Sequence, residues 1–288
     1  MLKEKITYLL SSTRKCISAQ GKGCPSCGAS SVDLVERKYM VTSLVRCKAC
    51  SLLYRIPTTS IEENRAFYQK AYTQGVVTDL PSAAELNNLI ATKFNRPDND
   101  YTNYIEILEA IGCKKEDRLF DFGCSWGYGS WQLKQHGFDV QSFEISKPRA
   151  QFAREKLGVD VLGTMDKVDG PYDIFFSSHV LEHVPSVRSV IEDGFRLLRS
   201  GGVFVAITPN GSAAFRSKNP NAWSQLWGNV HPQFLDDVYY NKQFQQYPHI
   251  LASNPFEIAQ LRQWGQFRKG AVSLDLTGDA LLCVAIKD

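Results

Sequence analysis

A turn of small residues that begins with an acid is the first feature that suggests chemistry. Asp121 stands two residues before Gly123, and the small residues Ser125 and Gly127 follow at alternate positions. An apolar run precedes the turn and a helix-like run follows it, as in the first strand and helix of a doubly wound sheet that cradles a ligand. Because a carboxylate would repel a phosphate, the turn favours a phosphate-free, partly cationic nucleoside over a dinucleotide. The alternative is a glycine-rich turn that binds nothing.

A second acidic residue strengthens the nucleoside interpretation. Glu144 lies 21 residues after Gly123, near the end of the next strand-like run. An acidic side chain at about this position accepts hydrogen bonds from ribose hydroxyls. With Asp121 and Glu144 in place, the turn resembles that of the class I S-adenosylmethionine-dependent methyltransferases, which usually have glycine where Ser125 stands. The resemblance implies a cofactor site made of Asp121, Gly123, Cys124, Ser125, Gly127, Glu144, Ile145, Ser178 and His179.

A histidine-bearing loop follows the strand predicted over residues 172–178. The family resembled here commonly has a leucine-glutamate-histidine-valine run after this strand, and residues 181–184 have that sequence. His183 is our first candidate for a general base, since a histidine of near-neutral pKa can take a proton from an acceptor. It could instead hold its loop by hydrogen bonds. A third interpretation is a metal site, because His179, Glu182 and His183 have i, i+3, i+4 spacing.

A long segment, about 211–265, is predicted to form a lid or substrate wall. It contains His231, our second candidate for a general base. Trp223 and Trp227 either line the acceptor pocket or pack a helix against the sheet.

Two pairs of cysteines predict a metal site near the N-terminus. Cys24 and Cys27 form one C-x-x-C pair, Cys47 and Cys50 form another, and 19 residues separate the pairs. This spacing is typical of a four-cysteine zinc site. Four protein ligands leave no position for water, so the zinc would be structural. Disulfides or a redox pair are the alternatives, and the absence of a secretion signal disfavours disulfides.

Alternating strands and helices predict the fold class. Strands are predicted at 118–123, 138–145, 159–162, 172–178 and 202–208, with helices at 128–136, 148–157 and 187–198. This alternation indicates an α/β, Rossmann-like, doubly wound and mostly parallel sheet. Residues 271–276 and 280–286 are predicted to form a terminal hairpin. We expect a helix over 2–18 and a zinc ribbon in residues 1–60, a helical connector over 61–98, and a methyltransferase domain over 99–288.

Composition indicates a globular protein, with 43% hydrophobic and 22% charged residues in a chain of 288. No apolar run approaches the roughly 18 residues that a membrane span requires, so we expect a soluble cytoplasmic protein. Residues 1–60 contain ten basic and three acidic residues, a net charge of +7, which leaves −4 on the remainder of a chain of net charge +3. A basic module either binds RNA or is an ordinary solvated surface.

These features together predict an S-adenosylmethionine-dependent methyltransferase with a structural zinc. The resemblance implies a small-molecule or sugar acceptor, as in the tailoring of cell-surface polysaccharides or secondary metabolites. One alternative is an RNA methyltransferase that grips nucleic acid with the basic zinc module. The other is a non-catalytic protein that binds a cofactor or mediates interactions through zinc.

Overall fold

The computed structural model describes residues 12–15, 23–60, 62–64, 79–96 and 98–288. The helices predicted over 2–18 and at the start of the connector lie largely outside these ranges, although residues 12–15 and 62–64 are helical. Within the described parts of the chain, no helix combines the length and apolarity needed to cross a membrane.

The N-terminal module is a small antiparallel sheet. It contains β1 (Val32–Lys38), β2 (Thr42–Cys47) and β3 (Leu53–Ile56). The Val, Leu, Met and Tyr content of residues 31–35 and 39–45 predicts two short strands, and β1 and β2 overlap both ranges with different ends. A fourth strand, β9 (Gln233–Phe234), pairs antiparallel with β3 and comes from the segment predicted as a lid. This sheet therefore joins residues that are far apart in the chain.

The large sheet has eight strands, and the predicted fold class is confirmed. Its strands are β4 (Arg118–Phe122), β5 (Asp139–Phe143), β6 (Asp160–Leu162), β7 (Tyr172–Ser178), β8 (Leu198–Pro209), β10 (His249–Ser253), β11 (Ala271–Ser273) and β12 (Ala280–Ile286). The strand order is β11-β10-β12-β8-β7-β4-β5-β6. Strands β4 to β8 are mutually parallel, so their carboxyl ends meet at one edge, where ligands bind in such sheets.

Nine named helices accompany the two sheets in the described residues. They are α1 (Ala83–Ala91), α2 (Thr102–Ala110), α3 (Tyr128–His136), α4 (Lys147–Leu157), α5 (Val187–Leu197), α6 (Ala213–Lys218), α7 (Pro220–Gln225), α8 (Asp237–Gln243) and α9 (Ile258–Phe267). Helix α1 was not predicted from the sequence pattern, and its start is fixed by reciprocal hydrogen bonds between Ser82 and Glu85. Helix α5 begins at the cap Ser186, and its apolar residues recur at helical spacing on one buried face.

The core lies on both faces of the large sheet. Alternate residues of the strands point to opposite faces, as Ile174 and Phe175 do. Helices α2, α3 and α9 pack on the Ile174 face. Helices α5 and α8 pack on the Phe175 face, together with Leu52 and Tyr54 of the ribbon. The ribbon therefore shares a hydrophobic core with the large sheet.

The predicted terminal hairpin is wrong. Strand β12 lies between β8 and β10 and pairs antiparallel with both, whereas β11 pairs parallel with β10. Burial explains the difference, since residues 281–285 of β12 are all buried and residues 271–273 of β11 are not. A continuously apolar strand suits a central position, and a half-exposed strand suits an edge.

The segment predicted as a lid, about 211–265, forms two packed regions. Its first part packs on the ribbon, where Trp223, Trp227 and Phe234 bury Leu44 and Leu53. The tryptophans therefore pack against the small sheet, and not against the large one. Its second part contains β10 and most of α9, which belong to the layers of the large sheet.

Helices α9 and α2 cross closely at Gly265, so replacing this glycine with alanine should destabilise the protein. A Cβ at Gly265 would overlap the Ala110 carbonyl oxygen and lie 2.8 Å from Ile111 Cα. Alanine normally favours a helix over glycine by about 1 kcal/mol, but this overlap should make Gly265→Ala destabilising by about 1–3 kcal/mol. Urea unfolding monitored by circular dichroism measures the change.

The control is Gly163→Ala, because a Cβ there meets nothing within 4 Å. This variant should leave the free energy of unfolding nearly unchanged. Wild-type stability in Gly265→Ala would contradict the packed arrangement of α9.

Candidate active site

The loop after β4 begins with a buried carboxylate. Asp121 is 2% exposed, and its Oδ2 accepts a hydrogen bond of 2.6 Å from Ser130 Oγ at the start of α3. Ser142 Oγ of β5 donates in turn to Ser130 Oγ at 3.0 Å. Burial raises the pKa of Asp121 to about 6, although the Ser130 hydrogen bond opposes this change. The predicted acidic position therefore anchors a hydrogen-bond chain across two strands and a helix.

Two glycines allow the loop to turn where other residues would not fit. Gly123 has φ +89°, and a Cβ there would lie 2.5 Å from Val180 Cγ2 in the loop after β7. Gly127 has φ +88°, precedes α3, and leaves no room for a Cβ beside Ala153 of α4. The loops after β4 and β7 are therefore in contact, as the topology of a parallel sheet predicts.

Glu144 joins the β4 loop to the start of α4. Its Oε2 accepts from the Ser125 amide at 2.9 Å, and its Oε1 accepts from the Ser146 amide at 2.7 Å. Burial raises the pKa of Glu144 to about 7, against the effect of these hydrogen bonds and of Arg149. The next residue, Ile145, is half-buried. The sequence spacing predicted an acidic residue beside the turn, and Glu144 contacts the turn directly through the Ser125 amide.

Cys124 and Ser125 differ in their surroundings. Cys124 is buried, and burial raises the pKa of its thiol well above the usual value, which favours a space-filling role over a nucleophilic one. Ser125 has φ +52°, and its buried Oγ has no hydrogen-bond partner among the described residues. A ligand hydroxyl or amino group at this point would satisfy it.

Ser178 and His179 lie where β7 ends. Ser178 is half-buried, whereas 47% of the His179 side chain is exposed. The His179 amide donates to the Ile207 carbonyl at 2.8 Å, which ties the loop to β8. Partial desolvation by the neighbouring groups opposes protonation of the imidazole, but the Glu182 carboxylate, 3.6 Å away, outweighs this effect and raises the pKa of His179.

His183 and His231 meet around Glu182. The two imidazole rings lie 4.7 Å apart in an edge-to-face arrangement, and His183 Nε2 is 3.7 Å from Glu182 Oε1. Main-chain carbonyls hold both rings: Val230 O is 2.8 Å from His183 Nδ1, and Leu226 O is 2.7 Å from His231 Nδ1. Burial lowers the pKa of His183 to about 4, despite the nearby carboxylate.

The structure changes the composition of the predicted histidine cluster. Potential ligand atoms of Glu182, His183 and His231 all lie within 4.8 Å of one another, and His179 is not part of this group. The sequence pattern placed Glu182 in a possible metal site with His179 and His183, and it indicated His231 separately as a candidate base. The association of His231 with Glu182 depends on the fold, because the two residues lie far apart in the chain.

The four paired cysteines converge as predicted. Cys24 Sγ lies 3.5 Å from Cys50 Sγ, and Cys27 Sγ lies 3.5 Å from Cys47 Sγ. All four sulfur atoms lie within 4.8 Å of one another. The Gly28 amide donates to the Cys24 carbonyl with Gly28 at φ +76°, which closes the first turn.

A groove of about 400 Å³ lies away from the predicted cofactor residues. It is lined by residues of the second cysteine turn, α5 and the end of α8, including Cys50, Arg188 and Tyr247. The residues of the β4 loop do not line it.

A doubly wound sheet with a glycine loop, and an acid after the next strand, is typical of domains that bind a nucleoside. The family match identifies this one as a class I S-adenosylmethionine-dependent methyltransferase domain. Residues 95–247, which are 153 of the 288 residues, match the family described as "Methyltransferase domain". The chain belongs to this family.

Two curated relatives and one solved structure illustrate the similarity. The ubiquinone biosynthesis O-methyltransferase of Nitrosomonas europaea is 32% identical over 148 residues, which cover 46% of this chain and 56% of the relative. The malonyl-[acyl-carrier protein] O-methyltransferase of Serratia marcescens is 28% identical over 155 residues, covering 49% and 60%. The plantazolicin methyltransferase BamL, solved with a triazolic analogue and SAH, has a TM-score of 0.49 and 11% identity, covering 79% and 99%. The chain thus spans about half the length of the curated relatives it matches.

The raised pKa of Glu144 predicts a specific pH dependence. A folded pKa of about 7, above the ordinary 4.5, means that the stability contributed by this group is fully present below pH 4.5 and is lost as the pH rises through 7. The difference in unfolding free energy between wild type and Glu144→Gln should therefore change between these pH values. Wild type should become relatively less stable at the higher pH, by about 3 kcal/mol.

Urea unfolding of both proteins from pH 4.5 to 8 measures this difference. Glu155→Gln is the control, since that residue is exposed on α4. A difference that does not vary with pH would show that burial leaves the Glu144 carboxyl group unperturbed.

Proposed function

We propose that the protein transfers a methyl group from S-adenosylmethionine to a small molecule or sugar. The observation that carries this proposal is the closed β4 loop, in which Glu144 binds the Ser125 and Ser146 amides. The loop lies directly against Val180 of the histidine-bearing loop after β7. A donor site and a candidate acceptor site are therefore adjacent at the carboxyl edge of the sheet.

The residues of the β4 loop fit a nucleoside cofactor. Each Glu144 oxygen accepts one amide and retains a lone pair, which suits the ribose hydroxyls. Ser125 Oγ is buried without a partner among the described residues, and the glycines let the backbone approach a ligand closely. Ser178 and His179 would border the methionine part. The cofactor supplies a methyl group on a sulfonium, so this chain's task is chiefly to align the acceptor and exclude water.

His183 and His231 are the proposed groups for handling a proton of the acceptor. Burial keeps His183 neutral at physiological pH, as a proton acceptor must be. Backbone carbonyls at both Nδ1 atoms fix the orientation of the rings. The segment that carries His231 is a fixed wall, because Trp227 is buried on the ribbon beneath Lys38. A fixed wall suits a small acceptor.

The contacts of the basic module favour a small acceptor over RNA. Lys38 donates to main-chain carbonyls of Ser224 and Trp227, and Arg46 pairs with Asp236 at 2.6 Å. These cations bind other parts of the same chain, which leaves fewer of them for phosphates. The names of the two curated relatives also describe small-molecule and acyl-carrier substrates.

We further propose that the four cysteines bind a structural zinc ion. Zinc–sulfur bonds of about 2.3 Å place tetrahedral sulfurs about 3.8 Å apart, close to the 3.5 Å between Cys24 and Cys50 and between Cys27 and Cys47. Four ligands would close the site and hold the two turns of the ribbon together.

Cofactor binding tests the proposal first. Glu144→Ala and Asp121→Ala should each weaken the binding of S-adenosylhomocysteine by about 10- to 100-fold, because each loses hydrogen bonds to a carboxylate that organises the loop. Isothermal titration calorimetry measures the affinity, and exposed Glu155→Ala is the control. Unchanged affinity in both loop variants, or no binding by wild type, would exclude this site.

A transfer assay then identifies the acceptor. Labelled cofactor is incubated with nucleotide sugars, small phenols and RNA, and transfer to a small acceptor is expected. Transfer to RNA alone, with binding that weakens as salt increases, would support the RNA alternative.

Removal of zinc should destabilise the ribbon. Cys50→Ala should lose about one equivalent of zinc and lower the melting temperature, because a metal that joins the two cysteine turns binds the folded ribbon and stabilises it. Mass spectrometry of metal content and a thermal melt measure both effects. Cys113→Ala is the control, because Cys113 is a buried core residue outside the cluster. A ribbon that stays equally stable after chelation would contradict the proposal.

A further inference from the structure

The group formed by Glu182, His183 and His231 has features that general-base chemistry does not require. The side chains come from two distant parts of the chain, and their potential ligand atoms lie within 4.8 Å of one another. Tetrahedral ligands at bonds of about 2.0–2.2 Å would be about 3.3–3.6 Å apart. His183 Nε2 and Glu182 Oε1 are already 3.7 Å apart. Small side-chain rotations would therefore bring the three groups around a common point.

Both histidines are oriented as metal-binding histidines usually are. A histidine that binds a metal through one ring nitrogen almost always hydrogen-bonds through the other to a carbonyl or carboxylate. Here the Val230 carbonyl contacts His183 Nδ1, and the Leu226 carbonyl contacts His231 Nδ1. These contacts fix the two rings and assign Nε2 of each as the prospective ligand atom. His183 Nε2 faces Glu182.

Glu182 supplies an independent observation. The residue is 1% exposed, and neither carboxylate oxygen has a hydrogen-bond partner among the described residues. Burial of a carboxylate without hydrogen bonds is costly, and such carboxylates are normally paired or bound to a metal. His179 and His183 approach Oε1 only at 3.6 and 3.7 Å, so Oε2 in particular still requires a partner.

We propose that Glu182, His183 and His231 form a second metal site, which binds a divalent transition metal of the class that zinc represents. Two imidazoles and one carboxylate suit such borderline metals better than Mg²⁺ or Ca²⁺, which prefer oxygen ligands. Three protein ligands leave at least one coordination position open, and His231 is only half-buried. In this role both Nε2 atoms bind the metal, so a metal here would replace the proton-handling role proposed above for His183 and His231. If the proposed methyl transfer also holds, the open position would bind an oxygen of the acceptor.

Zinc content distinguishes this site from the cysteine cluster. The full chain is equilibrated with Zn²⁺, dialysed, and measured by inductively coupled plasma mass spectrometry. His231→Gln and Glu182→Gln should each bind about one zinc fewer than wild type, while Cys50→Ala loses a different equivalent. His136→Ala is the matched control, since His136 also faces a carboxylate, Glu109 at 2.9 Å, but lies outside the cluster.

Two further measurements keep the test decisive. Cobalt is then substituted for zinc in wild type and in His231→Gln. The metal ion that is present in wild type and lost in His231→Gln should contribute no sulfur charge-transfer bands to the absorption spectrum. Calorimetry with S-adenosylhomocysteine separates this inference from the proposed function. If wild type does not bind the cofactor, the proposed function fails, but the chain should still bind the second zinc ion. Equal zinc content in wild type, His231→Gln and Glu182→Gln would overturn the inference, as would an equal loss in His136→Ala.

Discussion

The parallel pairing of β4, β5 and β7 is the constraint on which the candidate site depends. Since these strands run in one direction, the loops that follow them emerge at one edge and must pack against each other. The contact of Gly123 with Val180 and the hydrogen bonds of Glu144 to Ser125 and Ser146 follow from this arrangement. The loop residues could not hold their geometry on an isolated turn, because their partners belong to neighbouring strands.

The N-terminal ribbon extends this constraint to the acceptor side. Its strand β3 pairs with β9, and the segment just before β9 carries His231 to His183. The ribbon therefore positions a candidate active-site residue, although none of its own described residues belongs to the histidine cluster. A structural metal in the ribbon would act on the site through this strand pairing.

Local patterns predicted more of the fold than of the acceptor site. The strand and helix alternation, the cysteine pairs and the position of Glu144 follow from periodicity and short spacing, and they agree with the structure. Long-range pairing explains the errors. The continuous apolar run of β12 is consistent with a central strand, but no local signal shows that β12 is inserted between β8 and β10. The same limit hid the association of His231 with Glu182, which requires β9 to join the ribbon.

Buried carboxylates connect the stability of the chain to what it binds. Asp121 has a hydroxyl donor, Glu144 has two amide donors, and the carboxylate of Glu182 has no hydrogen-bond donor among the described residues. Burial of each charge costs free energy. It raises the pKa of Asp121 and of Glu144, whereas the neighbouring histidines lower the pKa of Glu182. A ligand that donates to Glu144, or a cation at Glu182, would compensate for this cost only in the folded state. Binding at either place must therefore stabilise the fold, and the two places should do so independently where they share no partner.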